Sequence, residues 1–298
     1  MKLSQAVSPI LREYGLSEKE VYAVLRQCGS DTVDYDFGAF NAKDWLSRDA
    51  AEWGREKRET LESAGVRACV SHVTGFSHPD EATYVEKAVC CAGAIGADRL
   101  VVPLFYTENN TRREYEEFNL AYLKRLLKAA REAGVTLLIE HAGSWLKPHY
   151  SHHAIELMHL IEKLGEPENL KVNLNVGHMG VAEIKPYTEI KMLGELIRNV
   201  DLSDNFGGMP LAVHPEREAL GLAPMMGYID YDRVMQGLCD INYRGDFNLR
   251  IDMPRGFPKN SPYCGETPLG IMPLEITKRL QIWSRRVAEH MLRTYGLL

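Results

Sequence analysis

The stretch Glu116–His141, EEFNLAYLKRLLKAAREAGVTLLIEH, decides the fold. Phe118, Ala121, Tyr122, Leu126, Ala129 and Ala130 recur at helical spacing with Lys and Arg between them. The pattern predicts an amphipathic helix over Glu116–Ala133 that lays one face on a core. Gly134 comes next, and glycine tolerates the left-handed backbone that ends a helix. Leu137-Leu138-Ile139 then predicts a short buried strand that stops at the polar pair Glu140-His141.

The same unit repeats in both directions. Strands are predicted at Leu3–Val7, Thr32–Phe37, Arg67–Val73, Arg99–Phe105, Thr136–Ala142, Lys171–Gly177, Asn199–Asp204 and Phe247–Met253. Helices are predicted at Glu18–Cys28, Ala50–Ala64, Glu81–Ala94, Glu116–Ala133, His153–Leu164, Ile190–Ile197, Tyr231–Cys239 and Leu274–Tyr295. Gly65 and Gly96 punctuate two further helix-to-strand boundaries. Alternation of this kind implies parallel strands joined by crossover helices, and eight pairs imply closure into a (β/α)₈ TIM barrel. Such a barrel takes about 250 residues, so one domain over residues 1–298 is expected.

Composition narrows the function classes. Hydrophobic residues make up 45% and charged residues 26%, an ordinary globular balance. A net charge of −6 argues against a nucleic-acid partner. The N-terminus lacks a signal peptide's pattern, and no apolar run is long enough to span a membrane. The six cysteines, Cys28, Cys69, Cys90, Cys91, Cys239 and Cys264, form no C-x-x-C pair and read as free thiols. A cytoplasmic protein with no membrane partner is expected. A phosphate-gripping Walker loop and a dinucleotide Gly-x-Gly-x-x-G are both missing.

The longest loops, Phe105–Tyr115, Ala142–Ser151, Asp204–Gly227 and Met253–Pro273, all come after strands, where barrel enzymes build their sites. Polar residues end four strands: Glu140-His141, Asn175-Val176-Gly177-His178, Asp201-Leu202-Ser203-Asp204 and Arg250-Ile251-Asp252. Residues two apart share a strand face, so Glu140, Asn175, Asp201 and Arg250 are expected around one central space. His141 should face away and pack behind it. His72 ends another strand, His214 and Trp145 sit on loops, and each is a candidate substrate contact beside Asp204 and Asp252. His152, His153 and His159 straddle a helix start and lack the acid or thiolate that would complete a metal site. Asp34 and Asp36 either line the mouth or face helices, and the sequence leaves both open. Lys147, Arg217 and Arg255 lie on loops, so a phosphorylated substrate also stays open.

These motifs, taken in order from about Val33 to about Asp252, resemble the xylose isomerase-like barrel superfamily of sugar and sugar-phosphate isomerases and epimerases. Members include D-tagatose 3-epimerase, inosose dehydratase and hydroxypyruvate isomerase. Leu138-Ile139-Glu140-His141 is similar to the family's Ile-Glu-Asn strand end, and Asn175-Val176-Gly177-His178 to its Asp-x-Gly-His. Asn199–Asp204 resembles its His-Val-His-(Leu/Ile)-Lys-Asp, Gly227–Tyr231 its Gly-x-Ile-Asp-(Trp/Tyr), and Tyr243-Arg244-Gly245 its Tyr-x-Gly. The distant endonuclease IV branch would need several His and acidic ligands and a basic face, and neither is visible.

The resemblance implies a divalent metal (Mn, Mg or Zn) held by Glu, Asp, His and Glu, at the positions of Glu140, Asn175, Asp201 and Arg250 here. Only the first is kept. A guanidinium has no lone pair to give and repels a cation, so any metal set would be Glu140, Asn175, Asp201 and Asp252; otherwise no cofactor is expected. The resemblance also implies proton abstraction next to a carbonyl by two Glu residues. With Arg250 at the second position, one-base isomerisation or β-elimination remains. Glu140 would then be the base, Arg250 would replace the cation, and His178 would contact substrate. The expected partner is a small sugar-like molecule in carbohydrate metabolism, with the protein itself a candidate homo-oligomer. An isomerase or epimerase (or a dehydratase-type lyase) and a repurposed sugar-binding protein on the same barrel are the two readings carried forward.

Overall fold

The computed structural model describes residues 1–8, 10, 14–38, 42–74, 79–105, 109–141, 150–182, 184–205, 221–251 and 273–298. Eight strands run in chain order around a closed barrel: β1 (Leu3–Ala6), β2 (Thr32–Asp36), β3 (Arg67–His72), β4 (Arg99–Val102), β5 (Thr136–Glu140), β6 (Leu170–Asn175), β7 (Ile197–Leu202) and β8 (Asp246–Leu249). All neighbouring pairs are parallel, and Leu3 opposite Phe247 closes the ring. The expected TIM barrel is the fold observed.

Ten helices can be named among the described residues: α1 (Glu18–Gln27), α2 (Ala42–Ser47), α3 (Ala50–Ser63), α4 (Ala82–Ile95), α5 (Arg112–Ala133), α6 (Ala154–Lys163), α7 (Val176–Val181), α8 (Pro186–Leu193), α9 (Tyr231–Asp240) and α10 (Leu274–Thr294). Several points differ from the sequence reading, among them the helix expected at Ile190–Ile197, which runs over Pro186–Leu193 with Ile197 already in β7. α5 begins at Arg112, ahead of the expected Glu116, because Thr111 and Glu114 form a reciprocal capping box. The strand expected to run on to Gly177 stops at Asn175, whose side chain accepts from His178 N and starts α7. α2 is short and was not anticipated. None of the described helices is long and apolar enough to cross a membrane.

Alternation along each strand sorts the side chains. On β2, Tyr35 faces outward and packs edge-on against Phe37 and Trp53, at ring distances of 5.1 and 5.9 Å, while Asp34 and Asp36 turn inward. Inside the barrel, Val70, Val101 and Leu138 join Cys69 in an apolar cluster separate from the outer core. The other side of the interior is polar: Ser4, Asn173, Asn199 and Asn248 are all fully buried. At the N-terminal end Arg99 reaches across from β4 to Asp246 of β8 (2.6 Å), and Asp246 also accepts from the Lys2 amide.

Two register shifts interrupt the ladders. Val33 pairs with Ala68 but Asp34 with Val70, so Cys69 is the extra residue on β3. Val172 pairs with Ile197 but Asn173 with Asn199, so Arg198 is the extra residue on β7. Each bulge lies just before a strand end that delivers a site residue, His72 or Asp201, and a bulge re-aims the side chains beyond it.

The helical layer is equally tight at one point. A Cβ at Gly54 of α3 would lie 2.2 Å from Ala94 Cβ of α4 and 2.9 Å from that residue's carbonyl carbon. Gly54→Ala is expected to cost about 1–3 kcal/mol through overpacking. Thermal unfolding should show a lower Tm for this variant and an unchanged Tm for Glu59→Ala, an exposed position on the same helix.

Candidate active site

At the C-terminal ends of the strands, Asp34, His72, Glu140, Asn173, Asn175, Asp201 and Arg250 converge. His72 is the pivot. Its Nδ1 lies 2.7 Å from Asp34 Oδ1 and its Nε2 3.1 Å from Asp201 Oδ2, with both carboxylates fully buried. Burial and nearby Arg250 push this imidazole toward neutrality, but Asp34 and Asp201 outweigh them and raise its pKa to about 10. Both ring nitrogens therefore donate, and His72 is a cation clamped between two anions.

Asp201 accepts at every available site. Oδ1 takes Nδ2–H groups from Asn199 (3.0 Å) and Asn248 (2.9 Å), and Oδ2 takes Asn173 Nδ2 (3.0 Å) besides His72. Burial alone would raise its pKa, yet His72, Arg250 and these amides hold it well below the usual carboxylate range. The three amides are themselves oriented by neighbours. Asn199 Nδ2 donates to Asn173 Oδ1 (2.6 Å), and Ser4 Oγ to Asn248 Oδ1 (3.1 Å). Asn173 and Asn248 are left with Nδ2 groups that each reach two carboxylates. An inverted amide at either position would set oxygen against oxygen.

Arg250 completes the ionic set. Its Nη1 lies 3.1 Å from Asp34 Oδ2 and its Nε 4.0 Å from Asp201 Oδ2. Burial works against its charge, but Asp34, Asp201, Asp36 and Glu140 keep the guanidinium firmly protonated. His72 and Arg250 thus face Asp34 and Asp201 beneath the mouth, with Asp36 a third buried carboxylate nearby, and this pairing makes their burial tolerable.

Glu140 stands apart from that balance. Its Oε2 accepts from Asn173 Nδ2 (2.8 Å) and Asn175 Nδ2 (3.4 Å). No described residue donates to Oε1, which has His178 Nδ1 at 4.0 Å. His178 Nδ1 lies 3.2 Å from the His141 carbonyl, which can only accept, so the proton sits on Nδ1. A Cβ at Gly177 would come within 2.3 Å of Ser203 Oγ, so glycine here lets α7 hold His178 close against β7.

The residues expected to meet, Glu140, Asn175, Asp201 and Arg250, do meet, and His72 joins them. Asp204 is placed differently. Its carboxylate is fully buried and accepts from the backbone amides of Asn205, Gly227 and Ile229, so it pins the chain at 227–229 and does not open on the central space. Trp145, His214 and Asp252 lie outside the described residues. His141 packs behind the site as expected. His152 is buried, His153 pairs with Glu189 at 3.3 Å, and His159 with Glu116 at 3.6 Å. Asn173, Asn199 and Asn248 were missed, although each precedes a named site residue by two positions and so shares its strand face.

His72, Glu140 and Asp201 bring ligand-type atoms within 4.8 Å of one another, a spacing that suits a metal ion. The described donors as arranged do not fit one. Both His72 nitrogens carry protons, Asp201 has no acceptor site left, and Asn175 uses its oxygen to cap α7. Arg250 adds positive charge at the same place.

A sequence profile described as "Xylose isomerase-like TIM barrel" matches residues 22–263. The chain belongs to this family. No curated protein matches it. Among solved structures it is similar to a D-psicose 3-epimerase with D-tagatose from Clostridium cellulolyticum H10, with a TM-score of 0.75 and 13% identity over 98% of this chain and 99% of that one. It is also similar to the IOLI protein with a bound zinc atom (TM-score 0.74, 13% identity, 100% of both chains) and to apo 3-keto-D-glucoside 4-epimerase YcjR from E. coli (TM-score 0.68, 14% identity, 96% and 99%). At these identities the likeness is one of fold. The xylose isomerase-like barrel is thus present with a cation clamp in its mouth.

His141 gives this site a measurable pH signature. Burial first, then His178, lowers its pKa from the ordinary 6.5 to about 3, and it stays neutral with Nε2–H on the Asn175 carbonyl (2.9 Å). A folded-state pKa below the unfolded one makes the contribution complete above pH 6.5 and lost on falling from 6.5 toward 3. Below pH 6.5 this one group should cost up to about 1.4 kcal/mol per pH unit. Chemical denaturation at pH 4.5 to 7 checks it: His141→Gln, which keeps the donor, should show a shallower acid-side decline than wild type.

Proposed function

We propose that this chain is a sugar isomerase/epimerase-type enzyme that moves a proton next to the carbonyl of a small polyhydroxylated substrate, with Glu140 as base and Arg250 in place of a divalent cation. The observation that carries the reading is the asymmetry of Glu140: one oxygen is tied by two amides and the other is open to the mouth beside His178. Such a carboxylate is held in one orientation and still has a lone pair for a carbon-bound proton. As that proton leaves, negative charge grows on the neighbouring carbonyl oxygen. Arg250, fixed by Asp34 and partly exposed, supplies positive charge that needs no reorganisation. Several structural neighbours are keto-sugar epimerases by name, which agrees with a substrate of this type.

Catalysis independent of metal is expected from the described donors: those of His72, Asp201 and Asn175 are already bonded to protein, and only Glu140 Oε1 is open. The same closed network also suits a sugar-binding protein in which Arg250 only neutralises Asp34 and Asp201. Deuterium exchange separates the two readings. In D₂O, wild type should wash label into the carbon beside the carbonyl of at least one ketose in a panel, at the same rate with and without EDTA. Glu140→Gln should slow exchange by about 10²–10⁴-fold, and Arg250→Met should slow it more than Arg250→Lys. Exchange abolished by EDTA and restored by Mn²⁺ would refute the cation replacement. Tight sugar binding with no exchange would assign the chain to the binding reading.

A further inference from the structure

α10, the last helix of the chain, has two unlike faces. Its inner face, with Thr277, Gln281, Ser284 and Ala288, is buried. Polar bonds fix it to the barrel: Gln281 Nε2 donates to the Ile251 carbonyl (3.2 Å), and Arg285 Nη1 to the Leu3 carbonyl (3.1 Å) and Ser30 Oγ (2.9 Å). The outer face carries Ile276 at 42% exposure and Trp283 at 44%, with half-buried Leu280 and Val287 beside them. Neither Leu280 nor Val287 packs on the hydrophobic core of the barrel. Positions 276, 280, 283 and 287 step by four, three and four residues, the spacing of a seam between two helices.

The charges along this seam are ordered. Glu275, Arg279, Arg286, Glu289 and Arg293 follow one flank of it. Glu275 and Arg293 each stand nine residues from Ser284, and Arg279 and Glu289 each stand five from it. Reversal of the helix about Ser284 therefore exchanges an acid for a base at both distances. We propose that α10 is the interface of a homodimer: a second copy of the chain docks through the same helix, antiparallel, about a two-fold axis at Ser284. Glu275 then faces Arg293 of the other copy, and Arg279 faces its Glu289. Leu280 packs on the other copy's Val287, the two Trp283 rings meet beside the axis, and each Arg286 lies against the other copy's Trp283. Glu275 accepts from Lys278 (2.8 Å) and Glu289 lies 2.9 Å from Arg285 Nε, which sets both carboxylates in place. Arg279 and Arg286 make no hydrogen bond or ion pair among the described residues, so both are available to the other copy. A parallel pair would turn the charged flank toward Thr277 and Ser284, where no acid stands. An anionic lipid surface would repel the two glutamates. The antiparallel second copy answers both acids and all three arginines.

Contact between two 21-residue helices falls at the low end of specific interface sizes, below about 1,200 Å² in total, so a reversible dimer of micromolar affinity is expected. The test is sedimentation velocity on the intact protein from about 1 to 100 µM at low salt. Wild type should pass from monomer to dimer across this range. Trp283→Ala should stay monomeric with unchanged far-UV circular dichroism. Glu275→Arg and Arg293→Glu, both at exposed side chains, should each raise the dimer Kd by about 10-fold or more, because like charges then meet twice. An equimolar mixture of these two variants should dimerise as wild type does, since every acid in the mixed dimer again faces a base. Wild type that stays monomeric at the highest concentration would overturn the proposal, and a blue shift of Trp283 fluorescence on phosphatidylglycerol vesicles would then assign the face to a lipid surface. A dimer untouched by Trp283→Ala, or a mixture no tighter than its components, would also overturn it, by placing the interface elsewhere.

Discussion

The imidazolium of His72, held between the buried carboxylates of Asp34 and Asp201, joins β3 to β2 and β7 through the barrel interior. These strands do not otherwise all touch, because β7 pairs only with β6 and β8. Removing one partner of a buried ion pair typically costs about 3–5 kcal/mol, since the other charge is left uncompensated. The clamp therefore constrains its neighbours. Asn173, Asn199 and Asn248 must turn their amide hydrogens toward Asp201, and that orientation leaves Asn173 with a second hydrogen for Glu140. The position of Glu140, the proposed base, is in this way coupled to a charge pair several strands away.

The clamp also explains how the family frame accommodates Arg250. In an arrangement that gathers acidic side chains, some positive charge has to balance them. Here His72 and Arg250 provide it covalently, and Asp201 gives its lone pairs to protein donors. A bound ion and this network compete for the same atoms. The barrel's polar half, from β6 round to β2, carries most of the network, with His72 reaching into it from the end of β3, while the apolar half holds Val70, Val101 and Leu138. Glu140, on β5, stands at the boundary between the two halves, where one of its oxygens reaches the amides and the other does not.

Much of this was legible in the chain. Glu116–His141 alone shows the repeating unit, and the strand positions can be read from apolar runs that end in glycine or polar residues. The meeting of Glu140, Asn175, Asp201 and Arg250 is a consequence of two-residue periodicity. The same periodicity places Asn173, Asn199 and Asn248 one layer below, a signal present but unread. The Thr111/Glu114 capping box was equally available. Other features were not. The bulges at Cys69 and Arg198 arise from how neighbouring strands register and leave no mark in local pattern. Asp34 could be told from an outward residue only by knowing that Tyr35 packs on Phe37 and Trp53. Asp204 looked like a mouth residue because it ends a polar run, but its carboxylate caps a backbone turn far along the chain.

The most direct measurement is the ¹⁵N spectrum of the His72 ring, assigned by comparison with a His72→Gln sample and recorded at pH 8 with and without added Zn²⁺. A closed clamp gives two protonated ring nitrogens whose shifts do not move when zinc is added. A ring nitrogen carrying a free lone pair at that pH, or one that shifts on stoichiometric zinc, would mean that the clamp is open and that the mouth of this barrel is built to hold a metal.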